Sequence, residues 1–309
     1  MWWYIDGVSA CGRYGLSIIT FVGSVFSPYY AWRGRRDPDD HVCMNVALYG
    51  PVKNRWAMTE RGKQAARRSA TRFQVGPSSL EWTQNELHLS FDEVAVPRPP
   101  SEWAPTRIKG RVVLKPAALT NRIFSIDTKG DHRWWPIAPL ADIGVSFEFG
   151  GTDWNGHGYL DCNWGMEPIE TAFRDWDWAR GVLPDGRALL LYDTRRNDGS
   201  EDCLALVYDG EGALSEWPAP SASPLKRGFW GITPKAHHDT GHEPVLVRTL
   251  EDSPFYKRSL VRTVIDGEPV ELMHETLSGT RFASAIVKAM LPFRMPRRSG
   301  PAIGEVNGR

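Results

Sequence analysis

Long apolar runs are missing from this chain. The stretch from Tyr14 to Phe26 is too short and too polar to span a bilayer, and the start, Met1-Trp2-Trp3-Tyr4-Ile5-Asp6, lacks the basic and continuously apolar segments of a signal peptide. The expectation is a protein neither secreted nor integral to a membrane. Strand-like character begins at Trp2 with almost no lead-in; if the true start lies upstream, an edge strand is incomplete. Charge of one sign is also missing: Lys plus Arg and Asp plus Glu both number 37, so no overall field favours nucleic acid or an acidic polymer. The only cysteines are Cys11, Cys43, Cys162 and Cys203, scattered and without a C-x-x-C pair. That argues against a disulfide framework or a thiolate zinc site, and for reduced thiols in a cytosolic protein.

Familiar catalytic signatures are absent too. There is no G-x-S-x-G elbow, no G-x-x-x-x-G-K-[ST] loop and no strand-linked G-x-G-x-x-G; Gly156-x-Gly158 lacks its third glycine. Hydride transfer, nucleotide chemistry and serine hydrolysis of that fold are thereby disfavoured. His237, His238 and His242 cluster, but Asp239-Thr240-Gly241 between them is turn-like, so the spacing does not fix two imidazoles on one face and no metal site is expected.

What the chain does have is aromatic side chains: 14 Trp, 9 Tyr and 12 Phe in 309 residues. Rings of that size are seldom spent on surface, so they line either a β core or a pocket. Short β-type runs recur between Gly, Pro, Asp and Asn, at Leu16 to Val25, Val42 to Leu48, Arg55 to Thr59, Leu87 to Val94, Arg111 to Leu114, Gly144 to Phe149, Ala188 to Thr194, Leu204 to Tyr208, Val245 to Thr249 and Arg258 to Val264. The pattern predicts an all-β sandwich or barrel architecture. Only Glu60 to Thr71 and Arg281 to Leu291 read as helix, the second stopped by Pro292. Gly150-Gly151 is the expected boundary between two β domains, 1–150 and 151–309. At the C-terminus Phe282, Ile286 and Met290 share a helical face beside Lys288, Arg294, Arg297 and Arg298, which suits either a membrane surface or a helix docked on a barrel with a solvated basic tail.

The segment from Trp154 to Gly165 carries the densest chemistry. In a strand His157, Tyr159 and Asp161 fall on one face, and upstream His132 and Trp134 share the same i, i+2 relation. An acid among aromatics is the equipment for protonating a carbon–carbon double bond: burial favours the neutral carboxyl, and ring faces stabilise a carbocation without trapping it. Each residue also has a structural reading, Asp161 as a turn or capping carboxylate, His132 as a strand-end imidazole, Trp134 and Tyr159 as core. Asp175-Trp176-Asp177-Trp178-Ala179-Arg180 reads as a strand burying Trp, with carboxylates exposed or paired with Arg180; Trp platforms beside carboxyls would also suit a sugar-active enzyme.

Gly23 to Tyr30, Asn45 to Gly50, Arg55 to Arg61, Arg133-Trp134-Trp135-Pro136, Gly156 to Asn163 and Trp176-Asp177-Trp178 together resemble the carotenoid 1,2-hydratases, from about Trp2 to about Arg298. The resemblance implies two lipocalin-like β-barrel or sandwich units with a short C-terminal helix, no cofactor, and hydration of the terminal double bond of a long acyclic carotenoid such as neurosporene or lycopene, in bacterial carotenoid synthesis. It implies Asp161 as proton donor, with His132, Trp134 and Tyr159 around it, and Trp3, Tyr30, Trp135, His157, Trp164 and Trp178 in contact with substrate. Such a substrate dissolves in membrane, so peripheral contact with lipid is expected, and none with nucleic acid. The same fold would also serve a carrier of a hydrophobic ligand, or a pericyclase or isomerase acting on another polyene.

Overall fold

The computed structural model describes residues 1–100 and 102–298. In chain order its strands are β1 (Trp2–Ser9), β2 (Gly15–Val22), β3 (Val42–Tyr49), β4 (Arg55–Arg61), β5 (Ala66–Arg68), β6 (Arg72–Val75), β7 (Ser78–Thr83), β8 (Glu86–Ala95), β9 (Thr106–Pro116), β10 (Phe124–Ser125), β11 (His132–Phe149) and β12 (Trp154–Gly165). There follow β13 (Phe173–Val182), β14 (Ala188–Arg196), β15 (Glu201–Tyr208), β16 (Leu214–Glu216), β17 (Ala222–Pro224), β18 (Lys235–His237), β19 (Val245–Asp252), β20 (Tyr256–Ile265), β21 (Glu268–Ser278) and β22 (Arg297–Arg298). The α-helices are short: α1 (Pro28–Trp32), α2 (Ile169–Ala172), α3 (Gly279–Phe282) and α4 (Ala285–Arg294). The protein is all-β, as its alternating apolar runs predict.

Two compact units result, and their segments interleave: of the described residues, 1–116, 141–163 and 289–298 belong to the first, 117–140 and 164–288 to the second. The expected single cut at Gly150-Gly151 is therefore not where the chain divides. That pair lies in the turn between β11 and β12, which are hydrogen-bonded neighbours, so both sides of the turn stay in the first unit.

In the first unit the strand order runs β22-β4-β3-β2-β1-β12-β11-β9-β8-β7-β6-β5. β1 lies between β2 and β12, inside the sheet. The sheet curls on itself: Arg61 on β4 reaches across to Glu93 on β8 with two hydrogen bonds of 3.0 and 2.8 Å. Residues 60–71 were expected to be helical, and their composition favours helix, but they form the end of β4, a 3₁₀ turn and β5. Arg61 is drawn into the buried pair with Glu93, and Glu60 bonds to His41 at 2.8 Å; this tertiary pairing overrides local propensity. One face of β1 and β12 carries Ile5, Gly7, Gly158 and Leu160 into the apolar interior. A Cβ on Gly7 would come within 2.7 Å of Ile143, and one on Gly158 within 2.5 Å of Leu114, so bare backbone is what lets β9 and β11 side chains approach.

The second unit holds a sheet of order β16-β15-β14-β13-β21-β20-β19 and the ribbon β17-β18. Its interior face packs Ala179, Leu191, Ala205, Val261 and Leu272 against Leu225, just after β17, and Ala236 on β18. Asp177, at the rim of that face, accepts from Thr276 at 2.5 Å and pairs with Arg195 at 2.5 Å. The sequence offered exposure, or pairing with Arg180; Arg180 lies three residues along β13 and so on its other face, whereas Arg195 sits diagonally across on β14.

At the C-terminal end, α4 continues two residues past Pro292. Phe282 does not join its outer face; it belongs to α3, is 2% exposed and stacks on Phe255 at 5.0 Å. The exposed apolar stripe is Ile286, Met290 and Phe293. The basic cluster is mostly engaged: Lys288 pairs with Glu170, Arg297 with Asp40 and Glu60, and Arg294 lies over the Trp56 ring. Among the described residues no helix is long and apolar enough to cross a membrane.

Candidate active site

The pairing register of β1 with β12 builds the most concentrated chemical face of the first unit. Tyr4 stands opposite Asp161 and Asp6 opposite Tyr159, so four side chains share one face. Tyr159 donates to Asp161 Oδ2 at 2.9 Å, and Tyr4 donates to Asp6 Oδ2 at 2.8 Å. The two rings meet edge-on, their centroids 6.1 Å apart. All four side chains are buried, Asp6 and Tyr159 completely. Neighbouring strands extend the face with Ser17 opposite Asp6 and Ile19 opposite Tyr4, then Asn45 on β3. Burial pushes the thiol of Cys162, on the reverse face, up to about 12, with the charge of Asp161 adding to the effect. The register is specified closely: a Cβ on Gly156 would lie 2.0 Å from the Val8 carbonyl oxygen, and a one-residue slip of β12 would turn Tyr159 and Asp161 to the apolar side, away from Tyr4 and Asp6.

The second unit gathers aromatic rings. His132 packs edge-on against Phe173 at 4.9 Å and Phe173 edge-on against Trp176 at 5.5 Å, while Trp176 lies tilted against Tyr192 at 6.4 Å. Trp134 meets Tyr192 at 5.2 Å and Phe124 at 5.8 Å. His132 is 3% exposed, and burial holds its imidazole below the ordinary value against the nearby carboxylates of Asp127, Glu167 and Asp131. Its Nε2 is buried and makes no hydrogen bond among the described residues. The ring is tightly confined, since a Cβ on Gly165 would lie 2.4 Å from its Nδ1. Asp127, His132 and Glu167 are close enough to suggest a cation site. Asp127, however, already accepts the backbone amides of Asp131 and His132 at 3.2 and 3.1 Å, the arrangement of a loop clamp.

Of the residues expected to act together, the structure joins Tyr159 to Asp161 in the first unit and sets His132 and Trp134 in one aromatic cluster of the second. Trp3 is on the opposite face of β1 from Tyr4 and packs on Phe73 at 5.7 Å. Tyr30 lies against His41 at 4.9 Å. His157 keeps the phase of Asp161 but is exposed at the far end of β12. Trp135 and Trp164 are half-buried, each out of phase with the candidate residue beside it, and Trp135 donates to the Thr120 carbonyl at 3.0 Å. Trp178 is buried on the face of β13 that also carries Trp176. Sequence reasoning overlooked Tyr4 and Asp6. The signal was available, because Tyr4-Ile5-Asp6 and Tyr159-Leu160-Asp161 are the same Tyr-x-Asp pattern written twice.

The family model of the carotenoid hydratase CrtC matches residues 18–303. An acyclic carotenoid 1,2-hydratase of Thiocapsa roseopersicina is 45% identical over 304 residues, covering 97% of this chain and 73% of that protein. One of Rhodobacter capsulatus is 41% identical over 285 residues, covering 92% and 98%. This chain belongs to the carotenoid hydratase family. It is accordingly an enzyme, a hydro-lyase. Solved structures extend the likeness in fold alone. An AttH protein of Nitrosomonas europaea aligns with a TM-score of 0.61 at 17% identity, covering 90% of this chain and 92% of that one. Kievitone hydratase of Nectria haematococca aligns at 0.57 and 11%, covering 90% and 88%. The lipocalin-like architecture is shared with both.

Proposed function

We propose that this hydratase adds water across the terminal C1=C2 bond of an acyclic carotenoid, with Asp161 as the acid. The observation that carries the assignment is the buried Tyr159–Asp161 hydrogen bond of 2.9 Å, set on a face where little water competes for the carboxyl. Protonation at C2 leaves a tertiary cation at C1. Water then adds at C1, and the proton it loses restores the acid, so the cycle consumes only alkene and water. Isolated alkenes are weak bases, and a positioned general acid supplies about 10²–10⁴-fold of the rate. Tyr159 aims the carboxyl. Asp6, held by Tyr4 in the same way, is the second carboxyl of the face and the group suited to take the proton from the incoming water and hand it back to Asp161, which closes the cycle. For His132 and Trp134 the support is chemical: a buried imidazole kept neutral can accept a proton, and a Trp ring among other rings can stabilise a cation.

The test is conversion of lycopene in liposomes without added cofactor, in isotopically labelled water. The wild type should give a labelled 1-hydroxy product and Asp161→Asn should not. Lycopene bound but not converted, equally in both proteins, would make the chain a carrier or an enzyme of another substrate.

The substrate resides in lipid, and the apolar stripe Ile286, Met290 and Phe293 on α4 is the surface proposed to reach it. Because most of the neighbouring cations are engaged within the protein, docking is apolar rather than electrostatic. Flotation with vesicles should depend on Phe293 and little on anionic lipid; no binding to vesicles of either kind would remove the idea.

A further inference from the structure

We propose that Asp193, Cys203 and His237, in the second unit, form a binding site for a zinc-class divalent cation. Asp193 on β14 and Cys203 on β15 are direct cross-strand partners, so their side chains leave the sheet side by side on its interior face. His237, at the end of β18, completes the set: its Nε2 is 2.8 Å from Asp193 Oδ2 and 3.7 Å from Cys203 Sγ, and the three ligand atoms all lie within 4.8 Å of one another. Donor atoms held about 2.0–2.3 Å from a tetrahedral ion stand about 3.3–3.8 Å apart, so only small side-chain shifts separate this arrangement from a coordinated one.

The orientation of the imidazole is the independent observation. His237 Nδ1 lies 2.7 Å from the Pro220 carbonyl oxygen. A carbonyl can only accept, so Nδ1 carries hydrogen and Nε2 faces Asp193 and Cys203. Anchoring one ring nitrogen on a backbone carbonyl while the other faces the ion is how metal-binding histidines are commonly held. Thr263 fixes the segment further by donating to the His237 carbonyl at 2.9 Å. Arg195, the nearest cation on β14, is committed to Asp175 and Asp177. Without metal, burial works against charge on His237, but the Asp193 hydrogen bond and carboxylate outweigh it and hold the imidazole above its ordinary value.

One thiolate, one imidazole and one carboxylate are a borderline-soft set that suits zinc over calcium or magnesium, and three protein ligands leave a fourth position for water. The sequence hid the site because its ligands are drawn from three strands. His238, next in sequence, points elsewhere and bonds to Ser223 at 2.8 Å.

The experiment titrates Co²⁺, a spectroscopic stand-in for zinc, into the full chain carrying Cys11→Ser, since Cys11 is exposed and could take metal by itself. We expect a saturable thiolate-to-cobalt charge-transfer band at one ion per chain, displaced by Zn²⁺ and lost in Cys203→Ser. Zn²⁺ should raise the unfolding midpoint of the parent and not that of His237→Gln or Asp193→Asn. Absence of the band in the parent protein overturns the proposal whatever the variants do, and so does a band that survives Cys203→Ser. Far-UV circular dichroism shows that each variant remains folded.

Discussion

Replacing Tyr159 by Phe tests which of the two carboxyls donates the proton. The substitution removes one hydroxyl and keeps the ring, so the edge-on contact with Tyr4 at 6.1 Å and the packing of a fully buried side chain survive. What is lost is the 2.9 Å bond to Asp161. A hydrogen bond to a neutral carboxyl, the resting form of a proton donor, contributes about 0.5–1.5 kcal/mol. At about 2–4 °C per kcal/mol for a unit of this size, the midpoint should fall by about 1–6 °C. Tyr4→Phe is the internal control, because it deletes a bond of the same kind and nearly the same length, 2.8 Å, from Asp6 on the same face. Because Asp6 is the ionised member in this scheme, Tyr4→Phe should lose at least as much stability as Tyr159→Phe. Their kinetics should differ: a misaimed acid costs Tyr159→Phe about 10–100-fold in kcat, and Tyr4→Phe less, since proton uptake from water follows the harder protonation of carbon. The assay is initial-rate hydration of lycopene in liposomes beside thermal unfolding of the same preparations. Equal losses of kcat, or a larger one in Tyr4→Phe, would refute Asp161 as donor and move the role to Asp6.

Two further outcomes follow from the second unit. Gly165→Ala places a methyl 2.4 Å from His132 Nδ1, and the ring cannot retreat because Phe173 stands against it at 4.9 Å; overpacking should cost about 1–3 kcal/mol, and hydration should drop with it, both read on the purified variant. His132 also contributes a pH dependence. Burial holds its folded-state value below the ordinary 6.5, so as pH falls through that region the unfolded chain binds a proton that the folded chain does not. This contribution to stability is complete above about pH 6.5 and is lost on acidification below it. The urea midpoint of the wild type should therefore fall more steeply between neutral and mildly acidic pH than that of His132→Gln; parallel curves would show that the imidazole does not titrate this way.

Much of the fold was legible because alternation is a local signal. Glu86-Leu87-His88-Leu89-Ser90-Phe91 reads as a strand with one face inward, and β8 buries Leu87, Leu89 and Phe91. What was not legible depended on partners remote in sequence. Glu60 and Arg61 look like the start of a helix until His41 and Glu93 are placed beside them, and Arg195 becomes the partner of Asp177 only when β13 and β14 are in register. The interleaving of the two units was hidden for the same reason: Gly150-Gly151 marks a turn, and composition cannot say whether the chain changes unit there or folds back onto itself.

The candidate site shows where the period-two rule suffices and where it stops. It correctly put Tyr159 with Asp161 and His132 with Trp134, because each pair is two residues apart on one strand. It could not supply Tyr4 and Asp6, whose place opposite Asp161 and Tyr159 comes from the antiparallel register and from glycines at 7, 156 and 158 that let the strands lie close. That register makes the face self-consistent: each carboxyl has its own tyrosine two residues earlier and the other pair's tyrosine directly across. Shifting one strand by a residue would break both cross-strand relations at once. A function that needs two buried carboxyls, each held by a phenol, is therefore specified by the strand pairing as much as by the four side chains.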